Sequence, residues 1–313
     1  MVRQERSDLA ISTVRAISGK WHVSAGLQMV KIDGQILAAL RGHIARCRNA
    51  SLPGGRIPLR IGASQVGYIK PDLAAALKND TTRSGNAVII GPRDAPRLND
   101  IARALAPQFG FRLRGENFDV RTRLGGPVLA VLDRGALPAF GVIGVGVHLN
   151  GVVRRADGPH LWIARRSAAK KLDPGKLDNL VGGGVSAGMT PAETLVKEAA
   201  EEAAIPAVLI AGAREVSRIA YDMARPEGLR RDLLVCYDLD LPEDFAPRAA
   251  DGEVESFELM PAARVLERMA SGDDFKFNVN LVLIDFLLRH FVLADEAGVL
   301  RTALAAMPAA IVP

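Results

Sequence analysis

Apolar residues recur along this chain in two rhythms, and the switches between them mark out the elements. Ile36, Leu40, His43, Ile44 and Cys47 follow a helical spacing that Pro53-Gly54-Gly55 breaks. Two short runs, 58–61 and 66–69, flank turn residues at 62–65 and predict a hairpin. Pro71 opens a short helix through Leu77, and residues 79–86 are polar and rich in turn formers. Residues 101–106 read as helix and 128–132 as strand, so 36–137 is expected to form a small α/β unit. Residues 1–35 mix Arg3, Arg6, Arg15 and Lys20 with Glu5 and Asp8 and hold no clear apolar stretch. They are expected to be a poorly ordered extension.

After residue 138 the pattern turns mostly to strands. Residues 147–153 and 161–165 alternate around Asp157-Gly158, a strong hairpin signal. Further strands are expected at 215–219, 232–239 and 253–259, with helices at 261–269 and 278–291. The last helix carries Leu281, Ile284, Asp285 and Leu288 on one side. This order suits a mixed sheet between helices over 138–295, with a tail at 296–313. Gly141, Gly144 and Gly146 do not spell a dinucleotide-binding loop, and no helix follows them. His43 has no second histidine or cysteine at ligand spacing and is read as a packing or surface residue.

The chemically informative stretch is a glycine-rich turn from Gly183 to Gly188 that feeds a helix. Thr190 is a good N-cap, Pro191 fits the first helical position, and Glu193 completes a capping box. Leu195, Val196 and Ala199 supply the apolar stripe. Each helical residue turns by about 100°, so Glu198, Glu201 and Glu202 share one edge. Carboxylates crowded in this way repel each other unless a hard cation such as Mg²⁺ gathers them.

Composition narrows the partners. With 313 residues, 49% of them hydrophobic, the chain can bury the cores of two domains. A net charge of +5 favours anionic ligands, but the arginines are scattered and aromatics make up only 5%. A small phosphate-bearing molecule is therefore expected, not a nucleic acid polymer. No uncharged apolar run is long enough to span a membrane. Two cysteines, Cys47 and Cys236, make no disulfide framework and suggest a cytoplasmic protein, for which a homodimer is compatible. Arg165, Arg166, Lys170, Lys171 and Lys176 precede the glycine turn and are candidates for phosphate contact.

Gly183, the run Lys197-Glu198-Ala199-Ala200-Glu201-Glu202 and Ile205 match the spacing of the Nudix box. That pattern is G-x5-E-x7-R-E-U-x-E-E-x-G-U, where U is a bulky aliphatic residue. Met189 stands at the first glutamate, Lys197 at the arginine, Ala199 at the aliphatic position and Ala204 at the late glycine. The chain thus resembles the Nudix hydrolases. His148-Leu149-Asn150-Gly151, Trp162 to Ser167, Leu177-Asp178-Asn179 and Phe275-Lys276-Phe277-Asn278 carry the likeness further. They resemble the branch related to the Nudix part of fungal thiamine pyrophosphokinase fusions and to a plastid plant group. In that branch a non-acidic residue at the Met189 position and a lysine at the Lys197 position are usual.

The resemblance implies an α/β/α sandwich with a mixed sheet, preceded by the small α/β domain. It implies Mg²⁺, with Mn²⁺ as a substitute, held by Glu198, Glu201, Glu202 and a carbonyl of Gly183 or Gly184. A separate acid from beyond the box is expected as a ligand or general base, for which Glu253 and Glu255 are candidates beside Glu201. Gly184, Arg165, Arg166, Lys170 and Lys176 are the expected substrate contacts. In the family the first glutamate and the arginine pair to brace the loop. Met189 and Lys197 cannot, although Lys197 can pair with Glu193 or Glu201. The implied reaction is hydrolysis of an organic diphosphate to a monophosphate, with thiamine diphosphate or damaged analogues of it as the substrate. Alternatives are oxidised guanine nucleotides, ADP-ribose-like compounds or a non-catalytic sensor, and the retained glutamate trio argues against the last.

Overall fold

The computed structural model describes residues 33–306 apart from 78–80, 251, 291 and 296–297. It also describes the backbone of strands Ser12–Ile17, Lys20–Ala25 and Val30–Lys31. Otherwise the expectation for 1–35 lies outside the described residues. No described helix is long and apolar enough to cross a membrane.

The larger sheet is mixed. Ile143–Arg155 runs through its centre, parallel to Gly228–Asp240 with Val147 opposite Val235. Gly158–Arg166 and Val181–Gly184 pair antiparallel with the same central strand. Leu177–Asp178 and Val254–Pro261 lie against Gly158–Arg166, and Arg214–Arg225 forms the opposite edge. Layers on both faces bury most of the central strand, not every second residue of it. On one face Val147 and Leu149 pack with Leu195 and Ala199 of the helix Pro191–Ala203. On the other, Val152, Leu161 and Ile163 pack beneath Ala262–Ser271 and Val279–Arg289. The result is an α/β/α sandwich.

Two helices join the larger core against expectation. Gly34–Cys47 buries Leu40, Ile44 and Cys47 there, and Val299–Ala305 buries Leu300 and Leu304. Residues 36–47 therefore do not pack with the smaller sheet, and 299–305 are not a loose tail. An amphipathic stripe specifies a face to bury but carries no address for its partner. His43 is buried in this layer, its Nε2 2.8 Å from the Met269 carbonyl oxygen, which satisfies it as a packing residue.

The smaller sheet runs Ser64–Ile69, Ile57–Ile61, Ala87–Ile90, Thr82–Ser84. Helix Leu98–Phe109 and the antiparallel pair Asn117–Val120 with Ala130–Asp133 complete its core around Leu59, Leu98, Phe118 and Leu132. Asn117–Val120 escaped the sequence pattern because four residues with two apolar positions are too short to read. Arg231 fastens the two units. Its guanidinium lies 5.2 Å from the Tyr68 ring and donates to the Gly141 carbonyl at 3.1 Å.

Candidate active site

The glycine turn leaves the sheet as strand Val181–Gly184 and enters the helix at Thr190. The capping box forms as expected, with the Glu193 amide donating to Thr190 Oγ1 at 3.2 Å. The Thr190 amide donates to Glu193 Oε2 at 2.8 Å. At its far end the helix closes on Ala204, a non-glycine residue in the left-handed region at φ +53°. That conformation explains why glycine suits this position.

Glu198 and Glu202 settle on consecutive glycines. A Cβ on Gly183 would lie 2.5 Å from the Glu198 carboxyl carbon, so only glycine lets that carboxylate come so close. Glu202, 6% exposed, accepts a hydrogen bond from the Gly182 amide at 2.9 Å. Burial pushes its carboxyl up to about 8, with Asp178 and Glu198 adding to the shift and the Gly182 amide opposing it. Glu201 is placed otherwise. Its side chain is 48% exposed and paired with Lys197 at 2.7 Å, the partner its spacing allows. Two of the three glutamates converge; the third faces solvent. Among the described residues no three His, Cys, Asp or Glu side chains form a ready metal cluster. Glu198 and Glu202 nevertheless fit a hard divalent cation, because Glu202 is buried against other acids with its charge poorly compensated.

Next to them lies a charged cluster in which only Arg166 had an expected role, as a phosphate contact. Asp178 is buried between Arg166 at 2.7 Å and Lys276 at 3.3 Å. Burial alone would raise its carboxyl, but Lys276, His148 and Arg166 together hold it below the ordinary carboxylate value. His148 is buried too, and desolvation lowers its imidazole to about 4, with Lys276 reinforcing the effect. Its Nδ1 meets Asn179 Oδ1 at 2.9 Å, Asn179 donates to Asn150, and Asn150 donates to Asp238. Arg289 and His290 close this chain on Asp238. The only sequence signal for Asp178, Asn179 and Lys276 was their occurrence in the family-like segments.

The remaining candidates separate. The Arg166 guanidinium is engaged within the fold, since it also donates to the carbonyls of Asp173 at 3.1 Å and Leu172 at 2.8 Å. Arg165 donates to the Gly175 carbonyl at 3.0 Å, and Lys176 turns to Asp273 at 2.7 Å. Gly184 faces away from the glutamates, toward Phe118, whose Cζ would lie 2.5 Å from an added Cβ. Lys170 pairs with Glu253, and its charge reaches Glu202 and lowers that carboxyl. Glu255 is exposed on the strand Val254–Pro261.

A cavity of about 300 Å³ opens near the first turn of the box helix, lined by Met189, Thr190, Val145, Tyr237, Phe118 and Arg123 among others. Neither Glu198 nor Glu202 lines it. The edge on which Glu198 and Glu202 sit therefore lies outside this cavity.

Comparison with known proteins identifies the family. A profile of the NUDIX domain matches residues 146–279. The chain is 44% identical to Nudix hydrolase 20, chloroplastic, of Arabidopsis thaliana, over 96% of this chain and 86% of that protein. Nudix hydrolase 24, chloroplastic, of the same plant is 43% identical over 59% of this chain and 51% of its own length. Among solved structures, DR0079 of Deinococcus radiodurans has a TM-score of 0.43 at 24% identity, covering 54% of this chain and 98% of that one. The plant relatives overturn the cytoplasmic expectation, since both are named chloroplastic. Two free, buried cysteines suit any reducing compartment and could not single one out.

Proposed function

Because the chain belongs to the Nudix hydrolase family, enzymes acting on phosphoanhydride bonds, we propose that it cleaves an organic diphosphate along the Glu198–Glu202 edge. The observation carrying this is the seating of both carboxylates on Gly183 and Gly182, one against each glycine. Glu198, Glu202 and a backbone carbonyl of Gly183 are the groups that would hold Mg²⁺ or Mn²⁺. Such a cation offsets the negative charge of a diphosphate and acidifies water. Lys170, whose charge already reaches Glu202, contacts phosphate oxygens. Glu253 takes the proton in preference to Glu255, since Glu253 is tied to Lys170. Glu201 supports the site from outside by holding Lys197.

Thiamine diphosphate or a damaged analogue of it is the substrate that the family branch suggests, with nucleoside diphosphate derivatives as the alternative. The test is a screen of purified protein with Mg²⁺ against thiamine diphosphate, its oxidised analogues, ADP-ribose and oxidised guanine nucleotides, scoring phosphate products. Monophosphate release is expected, and Glu202→Gln should slow it on the order of 100-fold. Wild-type turnover in that variant would remove the metal assignment. Binding without turnover of any of these compounds would make the protein a sensor.

A further inference from the structure

We propose that the strand pair of the smaller unit positions the glycine turn for metal binding, with Asp119 as the positioning residue. The proposal rests on the reading of Glu198 and Glu202 above. The turn from Val185 to Met189 finds little support within its own segment. Met189 donates back to the Ser186 carbonyl at 3.1 Å, and Val185 donates to Val145 of the sheet at 2.9 Å. Three consecutive residues between them are held by a segment about seventy positions earlier. Ser186 Oγ donates to Glu116 Oε1 at 3.1 Å, the Ala187 amide to the Asn117 carbonyl at 2.7 Å, and the Gly188 amide to Asp119 Oδ2 at 3.2 Å.

These contacts come from a rigid template. Phe118 is buried in the core of the smaller unit and fills the space that a side chain on Gly184 would need. The Arg134 guanidinium lies 5.6 Å from the Phe118 ring and pairs with Glu116 at 2.8 Å. Arg121 orients Asp119 at 2.7 Å. The two side chains that touch the turn, Glu116 and Asp119, are thus each fixed by an arginine. The two box positions that brace the loop in the family cannot do this work here, because Met189 is apolar and packs on the core beneath the box helix while Lys197 is turned to Glu198 and Glu201. Gly188 adopts the left-handed conformation at φ +80°, and Asp119 takes its amide. Gly183 and Gly184 are adjacent, so whatever holds Gly184 against Phe118 also sets where Gly183 meets Glu198.

The experiment compares Asp119→Asn, which keeps an acceptor oxygen, with Asp119→Leu, which has similar size and none. Hydrogen exchange of the Gly188 amide is followed in metal-free protein, and affinity is read by titration with Mg²⁺ alone. The leucine variant is expected to exchange about ten-fold faster at Gly188 and to bind Mg²⁺ several-fold more weakly, with the asparagine variant close to wild type. Neither readout needs a substrate, so a wrong substrate assignment leaves this test standing. Unchanged exchange and Mg²⁺ affinity in Asp119→Leu would overturn the proposal. Equal acceleration in both variants, spread over 117–133, would also overturn it, because the strand pair would then merely have come loose.

Discussion

Around Asp178 the chain gathers Arg166 at 2.7 Å and Lys276 at 3.3 Å, whereas around Glu202 it offers the Gly182 amide at 2.9 Å and the charge of Lys170. Both acids are buried and both neighbour Gly182. Their carboxyls nonetheless move in opposite directions, Asp178 down and Glu202 up to about 8. Burial costs each of them the same kind of penalty, so the difference lies in the counter-charge. Where the fold needs an acid it supplies cations. At Glu202, where we propose that a bound metal brings the charge, it leaves the acid short of a cation.

The largest effect should come from breaking the compensated side. Asp178→Asn leaves Arg166 and Lys276 buried without their counter-ion and should cost about 3–5 kcal/mol in urea unfolding. A loss below about 1 kcal/mol would erase the contrast between the two acids.

The under-compensated side predicts a pH dependence with a definite sign. The Glu202 carboxyl is raised from 4.5 to about 8, so its contribution is present below pH 4.5 and is lost as pH rises through 8. Metal-free protein should therefore lose stability across that window because of this group, read as a falling urea midpoint between pH 4.5 and pH 8. Glu202→Gln should flatten the slope, and saturating Mg²⁺ should flatten it in the wild type. Identical pH profiles for wild type and variant would show that Glu202 is no more strained than Asp178.

The smallest effect concerns the backbone beside Glu202. Ala204 holds the left-handed region at φ +53°, so Ala204→Gly should raise stability by about 1 kcal/mol, seen as a higher melting temperature. Since the substitution touches no charge, the pH profile should keep its shape. A changed profile would mean that helix-end strain, and not charge, sets the Glu202 value.

Much of the site was legible from residue order. The capping box at Thr190 and Glu193 formed as read, and the i, i+4 spacing brought Glu198 and Glu202 to one edge. Glu201 shows the limit of that reading. Spacing put it on the same edge, but about 100° per residue also leaves room for it to turn outward to Lys197, which it does. The basic run shows the same limit. Arg165, Arg166 and Lys176 look alike in sequence, yet nearby carbonyls and Asp273 claim all three.

Local order is enough to write a helix start, a glycine that admits a carboxylate, and alternation that makes a strand, because each involves groups within a few residues of one another. Lys276 at Asp178, Asp119 at Gly188 and Gly34–Cys47 on the larger core join positions separated by 69 residues or more. No rhythm in the chain encodes such partners. They are chosen when the sheets close and the buried charges and amides must find whichever groups lie opposite.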